Sequence, residues 1–118
     1  MSVAFGKQLE QRAVTFLSRQ GLQLLESNFQ CRWGEIDLIM REGLTLVFVE
    51  VRARSSSEYG GAIASITAAK RRKLTKTANY YLLAKKLQDK CAARFDVVLF
   101  EGKQLEIEWI KNAFDSYY

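Results

Sequence analysis

Hydrophobic and polar positions follow two spacings along the chain, one typical of helices and one typical of strands. Apolar side chains at helical intervals, with Gly21 as a C-terminal cap, predict a first helix over residues 6–20. A second pattern, rich in lysine and arginine, predicts one long helix over residues 65–86. Apolar runs bounded by turn residues predict five strands, over residues 22–31, 35–41, 44–54, 94–100 and 104–109.

The order of these elements, α-β-β-β-α-β-β, predicts an α/β fold in which helices flank a mixed β-sheet. Tight turns are expected at Glu42-Gly43 and at residues 101–103, a loop of Ser and Gly at residues 55–61, and a short helix within residues 110–118. A length of 118 residues fits a single domain over residues 1–118.

Two of the predicted strands carry acidic residues inside apolar runs. One contains residues 34–39 (Gly-Glu-Ile-Asp-Leu-Ile), and the other contains residues 48–52 (Phe-Val-Glu-Val-Arg). A buried carboxylate without a partner is unfavourable by several kcal/mol, or its pKa rises until the group is neutral. Two such strands therefore suggest carboxylates gathered around a positive group, for which a divalent metal is the usual choice.

The turn at Glu42-Gly43 sets how these strands pair. Asp37 then lies opposite Phe48, and Glu35 lies opposite Glu50. Asp37 and Glu50 become diagonal neighbours on one face, roughly 7–8 Å apart, and both can reach one metal. A slip of one residue would place them on opposite faces. Because the acids are crowded, we expect at least one pKa among them to be raised when no metal is bound.

Two helical residues are candidates to join this acidic cluster. Glu10 borders the apolar stripe of the first helix, where it either leans over the sheet or is an ordinary boundary residue, and the spacing alone favours the latter. Lys70 falls in the apolar stripe of the second helix with Leu74 and Ala78. It either lies along the edge of the core or points into the acidic cluster, and the pattern does not choose between these.

Charge is unevenly distributed along the chain, whose net charge is +5. Residues 66–94 hold nine basic residues and one acid, which gives this segment a charge of +8. A polyanion, either nucleic acid or an anionic membrane, is the expected partner, although a solvated helix face would give the same pattern. Arg71, Arg72 and Lys76 are predicted to point outward, away from the core.

Composition excludes several classes of chemistry. The chain has no histidine, so zinc hydrolase chemistry and a Ser-His-Asp triad are excluded, and oxygen ligands favour Mg²⁺ or Mn²⁺. Two cysteines, Cys31 and Cys91, are too few for a secreted disulfide framework. No signal peptide or membrane-spanning apolar run is recognised, so we expect a cytoplasmic protein that does not bind a membrane.

The residues assembled above resemble a known nuclease signature. Glu10, residues 34–37 and residues 48–54 look like the PD-(D/E)XK motif, and the chain resembles, nearly end to end, the bacterial YraN family of uncharacterised proteins. That family is distantly related to archaeal Holliday junction resolvases. The resemblance extends to residues 94–98 (Arg-Phe-Asp-Val-Val) and to residues 108–114 (Glu-Trp-Ile-Lys-Asn-Ala-Phe).

The resemblance implies a restriction-endonuclease-like fold, with four or five strands flanked by helices, and a Mg²⁺-dependent phosphodiesterase site. Asp37 and Glu50 would be metal ligands together with the backbone carbonyl of Val51, and Glu10 would contribute through water. It also implies a homodimer, because the related resolvases act as dimers.

One residue departs from the superfamily motif, because Arg52 stands where lysine is usual. Arginine stays protonated in proteins, so it cannot be the general base that activates water. It can still stabilise negative charge in the transition state. Lys70 is the alternative source of the missing lysine.

The sequence therefore predicts a metal-dependent endonuclease that acts on DNA, with branched or structured DNA as a candidate substrate. Tyr59, Tyr80 and Trp33 are candidates to stack on bases, but packing for Tyr80 and a partly buried loop position for Trp33 are the expected roles. The main alternative is a nucleic-acid-binding module that keeps the nuclease scaffold without its activity, and a third is an interaction protein with no nucleic-acid partner. The residues expected to contact the nucleic-acid backbone, besides the loop at 55–61, are Arg54, Lys70, Arg71, Arg72, Lys73 and Lys76.

Overall fold

The predicted order of helices and strands is confirmed. A computed structural model describes residues 3–55 and 66–115. Its elements are α1 (Val3–Arg19), β1 (Gln23–Cys31), β2 (Gly34–Glu42), β3 (Thr45–Arg54), α2 (Ala68–Ala84), β4 (Ala92–Glu101) and β5 (Glu106–Phe114). The backbone at Gly21 has φ +99°, and the N–H of Leu22 donates to the carbonyl of Leu17, which closes the end of α1 as the glycine predicted.

The five strands form one mixed sheet in the order β1-β2-β3-β4-β5. Neighbours pair antiparallel except β3 and β4, which are parallel. Parallel neighbours need a crossover connection, and α2 lies between these two strands in the sequence. The mixed α/β architecture expected from the element order is therefore confirmed.

Each helix covers a different face of the sheet. Leu9, Ala13 and Leu17 of α1 pack in one buried cluster with alternate strand residues such as Leu38 and Val49. This helical spacing of three and four residues is the one that the sequence predicted for the first helix.

The opposite face of the sheet packs against α2. Leu74, Ala78 and Tyr81 bury against strand residues that include Ile39 and Phe48. Strand side chains alternate between faces, so every second residue of β3 points toward α2. Glu50 has the same parity as Phe48 and contacts Lys70, which puts it on the α2 side of the sheet. In β2 both Ile36 and Ile39 pack on that side, so the alternation is interrupted at the position of Asp37.

The predicted register of the β2–β3 hairpin is wrong by two positions. Observed pairs include Ile39 with Phe48 and Glu42 with Thr45, so the turn residues are Gly43 and Leu44. Gly43 has φ +59°, and a two-residue hairpin turn favours glycine at its first position, where the predicted turn had placed Glu42. Because the offset is an even number of residues, it does not exchange the two faces of either strand.

The C-terminal helix predicted within residues 110–118 is also wrong, because residues 110–114 belong to β5. Phe114 pairs with Phe95 of β4, and the backbone N–H of Asn112 donates to Asp96. These contacts join residues far apart in sequence, so the local pattern could not reveal them.

The second helix begins later than predicted, at Ala68, because the Thr67 side chain accepts the N–H of Lys70 as an N-terminal cap. Residues 56–65, which include Tyr59 and most of the loop expected at 55–61, lie outside the described residues, as do residues 116–118. Neither described helix combines the length and apolar character needed to cross a membrane.

Candidate functional site

Asp37 and Glu50 meet where the pairing of β2 with β3 ends. The last paired residues are Leu38 and Val49, and continuing their register places Asp37 opposite Glu50. This is closer than the diagonal arrangement that the sequence predicted. Oδ2 of Asp37 accepts the backbone N–H of Val51 at 2.8 Å, and the Glu50 side chain is buried, with only 6% of the residue exposed.

The contact with Glu50 affects the protonation of Asp37. The pKa of Asp37 is raised from 3.8 to about 7. Burial is the largest cause, followed by the charge of Glu50 and a hydrogen bond to it, while the Val51 N–H opposes the rise. The prediction that one of the crowded acids has a raised pKa is therefore confirmed.

Two cationic side chains contact Glu50. The Nζ atom of Lys70 lies 3.5 Å from Oε2 of Glu50, and a guanidinium nitrogen of Arg52 lies 3.6 Å from the same oxygen. Of the two roles left open for Lys70, the structure supports the one in which it points into the acidic cluster. Asp37, Glu50, Arg52 and Lys70 thus form one charged cluster, which we call the acid pair and its cations.

A second polar group links α1 to the same sheet. The Asn28 side-chain amide donates to Glu10 at 3.1 Å and to Glu35 at 3.2 Å, and Gln30 donates to the other oxygen of Glu35. Burial raises the pKa of Glu10, and the charges of Asp37 and Glu35 add to this rise against the Asn28 hydrogen bond. Glu10 therefore leans over the sheet, as one of the two predicted alternatives required.

Asn28 is a residue that sequence reasoning missed. Its backbone has φ +53°, a conformation that asparagine tolerates better than most residues. The pairs Ser27 with Leu38 and Phe29 with Ile36 place Asn28 across from Asp37. Asparagine within a predicted strand, where this residue type is disfavoured, was the signal that could have drawn attention to it.

The oxygen atoms at the acid pair are of the type that binds a hard divalent cation. Asp37 and Glu50 supply carboxylate oxygens. The N–H and C=O of a strand residue point toward the same neighbour, so the Val51 carbonyl faces the gap that Asp37 occupies. Within residues 3–55 and 66–115, no group of three or more acids or cysteines is placed to hold a metal. The structure thus brings Asp37 and Glu50 together but does not add Glu10 or Glu35 to a three-acid set.

Of the residues predicted to contact nucleic acid, some are exposed and others interact with neighbouring residues of this protein. Arg72, Lys73 and Lys76 are exposed on α2. Arg54 instead pairs with Glu101, with a shortest N–O distance of 2.7 Å. Arg71, predicted to point outward, is half-buried, because its guanidinium lies over the Phe114 ring and donates to a backbone carbonyl.

The two described aromatic candidates are both partly exposed. Trp33 lies in the β1–β2 turn and is 38% exposed, which agrees with its expected partly buried loop position. Tyr80 packs against the Phe29 ring, yet it remains 44% exposed. The expected packing of Tyr80 is therefore present, and part of its side chain is still exposed.

Comparisons with known proteins place the chain in one family. The family model described as "Uncharacterised protein family UPF0102" matches residues 9–100. A UPF0102 protein of Legionella pneumophila is 51% identical over 111 residues, which are 94% of each protein. A UPF0102 protein of Nitrosomonas europaea is 58% identical over 112 residues, which are 94% of this chain and 93% of the relative. The chain therefore belongs to the UPF0102 family, the YraN family that its sequence resembled.

Proposed function

We propose that this protein is a metal-dependent nucleic-acid phosphodiesterase, an endonuclease of the PD-(D/E)XK type that acts on DNA. The observation that carries the proposal is the contact of Asp37 with Glu50 on neighbouring strands, beside Lys70 and Arg52. Asp37, whose pKa is raised by burial and by its contact with the buried Glu50, is in an unfavourable position unless a cation or a proton binds it. Structural ion pairs seldom place two acids in contact, so a functional role is the better explanation.

Mg²⁺ or Mn²⁺ would be held by Asp37, Glu50 and the Val51 carbonyl. When bound, such a cation polarises a phosphate and lowers the pKa of a coordinated water. The Val51 N–H fixes the orientation of the Asp37 carboxylate, which limits the rearrangement needed for binding. Glu10 and Glu35, bridged by Asn28, lie at the side of the pair and can hold water there.

Arg52 and Lys70 supply positive charge where the scissile phosphate would lie. Because the guanidinium of Arg52 stays protonated, its role is to stabilise developing negative charge and not to accept a proton. Lys70 approaches from α2, so the charge reaches the site from both the sheet and the helix.

The exposed cations of α2 favour a polyanionic substrate. Arg72, Lys73 and Lys76 lie on the same helix as Lys70, and within residues 3–55 and 66–115 they form no ion pair with an acid. Phosphate contacts by such residues release counterions, so binding should weaken steeply with salt. Branched or structured DNA is the proposed substrate, by analogy with the resolvases that the family resembles.

The alternative function is a nucleic-acid-binding module with little or no catalysis. Two observations favour it: Arg52 stands in place of the usual lysine, and no third acid joins Asp37 and Glu50. Such a module would keep the exposed cations of α2 and would not depend on the acid pair.

The test is cleavage of labelled linear duplex, single strand, flap and four-way junction in Mg²⁺ and in Mn²⁺. Asp37→Asn and Glu50→Gln keep the side-chain shapes and remove the charges, and Lys103→Gln in the β4–β5 turn is a matched control. Metal-dependent cleavage by the wild type and the control, lost in both acid variants, would support the nuclease. Salt-sensitive binding without cleavage in all four proteins would support the binding module.

Metal binding has a readout that does not need catalysis. A cation that binds only the folded protein raises its stability, by about 2.7 kcal/mol at a concentration 100 times its Kd. We expect millimolar Mn²⁺ to raise the melting temperature of the wild type but not that of the Asp37→Asn, Glu50→Gln double variant. An equal rise in both proteins would show that any bound metal lies elsewhere.

A homodimer is proposed only from the resemblance to resolvases. In the five-stranded sheet, β1 and β5 are edge strands, and each offers a row of backbone groups for pairing. Sedimentation equilibrium with and without a four-way junction tests this directly. A mass equal to one chain under both conditions would exclude the dimer.

A further inference from the structure

An aromatic and cationic surface lies apart from the acid pair, where the β1–β2 turn meets α2. A cleft of 300 Å³ there is lined by Trp33, Lys76, Asn79, Tyr80, Leu83 and Gln88. Lys76, Tyr80 and Leu83 share one face of the helix because they are four and three residues apart. We call this surface the Trp33 platform.

The platform is held in place by close packing. An added Cβ at Gly34, next to Trp33, would lie 3.2 Å from Oγ1 of Thr77 on α2. Tyr80 packs against the Phe29 ring at 6.3 Å between centroids. The turn and the helix therefore present Trp33 and Tyr80 in a fixed relation, although both rings remain partly exposed.

Positive charge surrounds the aromatic rings. The Arg32 guanidinium lies over the Trp33 ring, 4.5 Å from its centre, and Nζ of Lys76 lies over it at 5.0 Å. A base that stacks on this ring therefore displaces one of these exposed side chains from the ring face. Exposed Arg72 and Lys73 lie one turn of α2 away from Lys76. Aromatic faces beside cations are the combination that binds single-stranded nucleic acid, because bases stack on the rings and phosphates contact the cations.

The platform also has groups that can contact base edges. Asn79 and Gln88 line the same cleft and carry both amide donors and carbonyl acceptors. A base within a duplex is already stacked on both faces, so only an unpaired base can use an exposed aromatic ring in this way.

The spacing of the platform from the acid pair suits one continuous strand. Trp33 comes directly before β2 and four residues before Asp37, which corresponds to at most roughly 13 Å at the rise of an extended strand. Lys70 at the acid pair and Lys76 at the platform are separated by about 9 Å along the axis of α2. Lys73 lies between them, so cations connect the two places.

We propose that the Trp33 platform binds an unpaired nucleobase of the strand whose phosphate reaches the acid pair. This proposal rests on the proposed function, and it narrows the substrate to nucleic acid with single-stranded nucleotides beside the cleavage point. A fully paired duplex then binds through phosphates alone. An acidic peptide offers the cations their charge but gives Trp33 and Tyr80 nothing to stack on.

The test measures binding without cleavage, in EDTA, by fluorescence anisotropy of a labelled twelve-nucleotide oligothymidylate. An abasic oligomer with the same phosphates and a hairpin duplex are the comparison ligands. The variants are Trp33→Ala, Trp33→Phe and Tyr80→Ala. Leu44→Ala is the control, since Leu44 is 90% exposed in the β2–β3 turn at the other end of β2.

We expect Trp33→Ala to weaken oligothymidylate binding about tenfold or more and to leave the abasic oligomer and the duplex within twofold. Trp33→Phe should recover most of the affinity, because a ring remains available for stacking. Equal loss for all three ligands, no loss for any, or equal competition by polyglutamate would overturn the proposal. Because no step depends on metal, failure of the platform and failure of the nuclease are separate results.

Discussion

Oδ2 of Asp37 accepts the backbone N–H of Val51 at 2.8 Å, so a side chain of β2 replaces a main-chain partner where β2–β3 pairing ends. The carboxylate is thereby fixed beside Glu50. The local break in pairing also leaves the Val51 carbonyl facing the same gap. One hydrogen bond thus determines the shape of the candidate metal site.

The raised pKa of Asp37 predicts a specific dependence of stability on pH. Its pKa of about 7 in the folded protein, against 3.8 normally, means that the folded state holds this proton more tightly than the unfolded state. The contribution of this group is therefore full below pH 3.8 and is lost as pH rises to about 7.

Asp37→Asn stays neutral at every pH, so we expect it to be more stable than the wild type at pH 8 by a few degrees in melting temperature. At pH 4 the two proteins should differ little. Thermal unfolding in EDTA at both pH values measures this, with Asp89→Asn as control, because Asp89 is exposed and its φ of +59° suits asparagine. A wild type that gains stability between pH 4 and pH 8 relative to Asp37→Asn would contradict the assignment.

Asn28 is predicted to reduce the repulsion between Glu10 and Glu35, because its amide donates to both carboxylates. In Asn28→Gly the backbone at φ +53° is unstrained but the bridge to Glu10 and Glu35 is lost, which should lower stability by about 1 kcal/mol. Asn28→Asp places a third carboxylate between the other two, so this variant should lose more stability at pH 8 than at pH 5.

Chemical denaturation of both Asn28 variants at the two pH values tests this bridge. Asn79→Asp, on the exposed side of α2, is the matched control and should change stability by no more than about 0.5 kcal/mol. A pH-independent effect of Asn28→Asp would mean that Glu10 and Glu35 do not share its amide in solution.

Asp96 is predicted to be structural and not catalytic. It is fully buried, and its oxygens accept hydrogen bonds from Arg94, from the Trp109 indole and from the backbone N–H of Asn112. All its partners lie in β4 and β5, where they hold the irregular end of that hairpin together.

Asp96→Asn should therefore lower stability by about 1–3 kcal/mol, because it places a donor where a buried acceptor is needed, while Arg94 keeps its ion pair with Glu42. Glu101→Gln, which breaks the more exposed pair with Arg54, should lower stability by less than about 1 kcal/mol. Urea unfolding of both variants provides the comparison. An equal loss of stability in both variants would show that the burial of Asp96 does not strengthen its hydrogen bonds and ion pair.

The sequence was sufficient to predict the faces of the strands but not their register. Side chains alternate with period two, so the move of the turn from Glu42-Gly43 to Gly43-Leu44, which shifts the register by two residues, still brought Asp37 and Glu50 together. The preference of glycine for the first position of such a turn decides the register. The pairing of the acids is consequently tighter than expected.

Contacts between distant segments account for the remaining differences. Arg71 was expected outside because helical spacing put it off the apolar stripe, but Phe114 of β5 provides a ring for its guanidinium. The same strand was missed at residues 110–114, because its pairing with β4 depends on Asp96. Asn28 donates a hydrogen bond to Glu10 of α1, and the pattern of residues within β1 could not indicate this contact.

Arg52 and Lys70 are predicted to act on the transition state through charge. Arg52→Gln and Lys70→Gln should each lower kcat by about 10²-fold with a smaller change in KM, because stabilising a developing charge acts mainly in the transition state. Lys103→Gln removes one positive charge in the β4–β5 turn and should leave both constants unchanged.

Arg52→Lys tests whether the residue at position 52 acts through its charge or as a base. If charge is the role, kcat stays within about tenfold and the pH–rate profile keeps its shape. A new limb in that profile, with a higher kcat at alkaline pH, would instead show that a lysine at this position takes a proton and that the arginine of the wild type limits the enzyme.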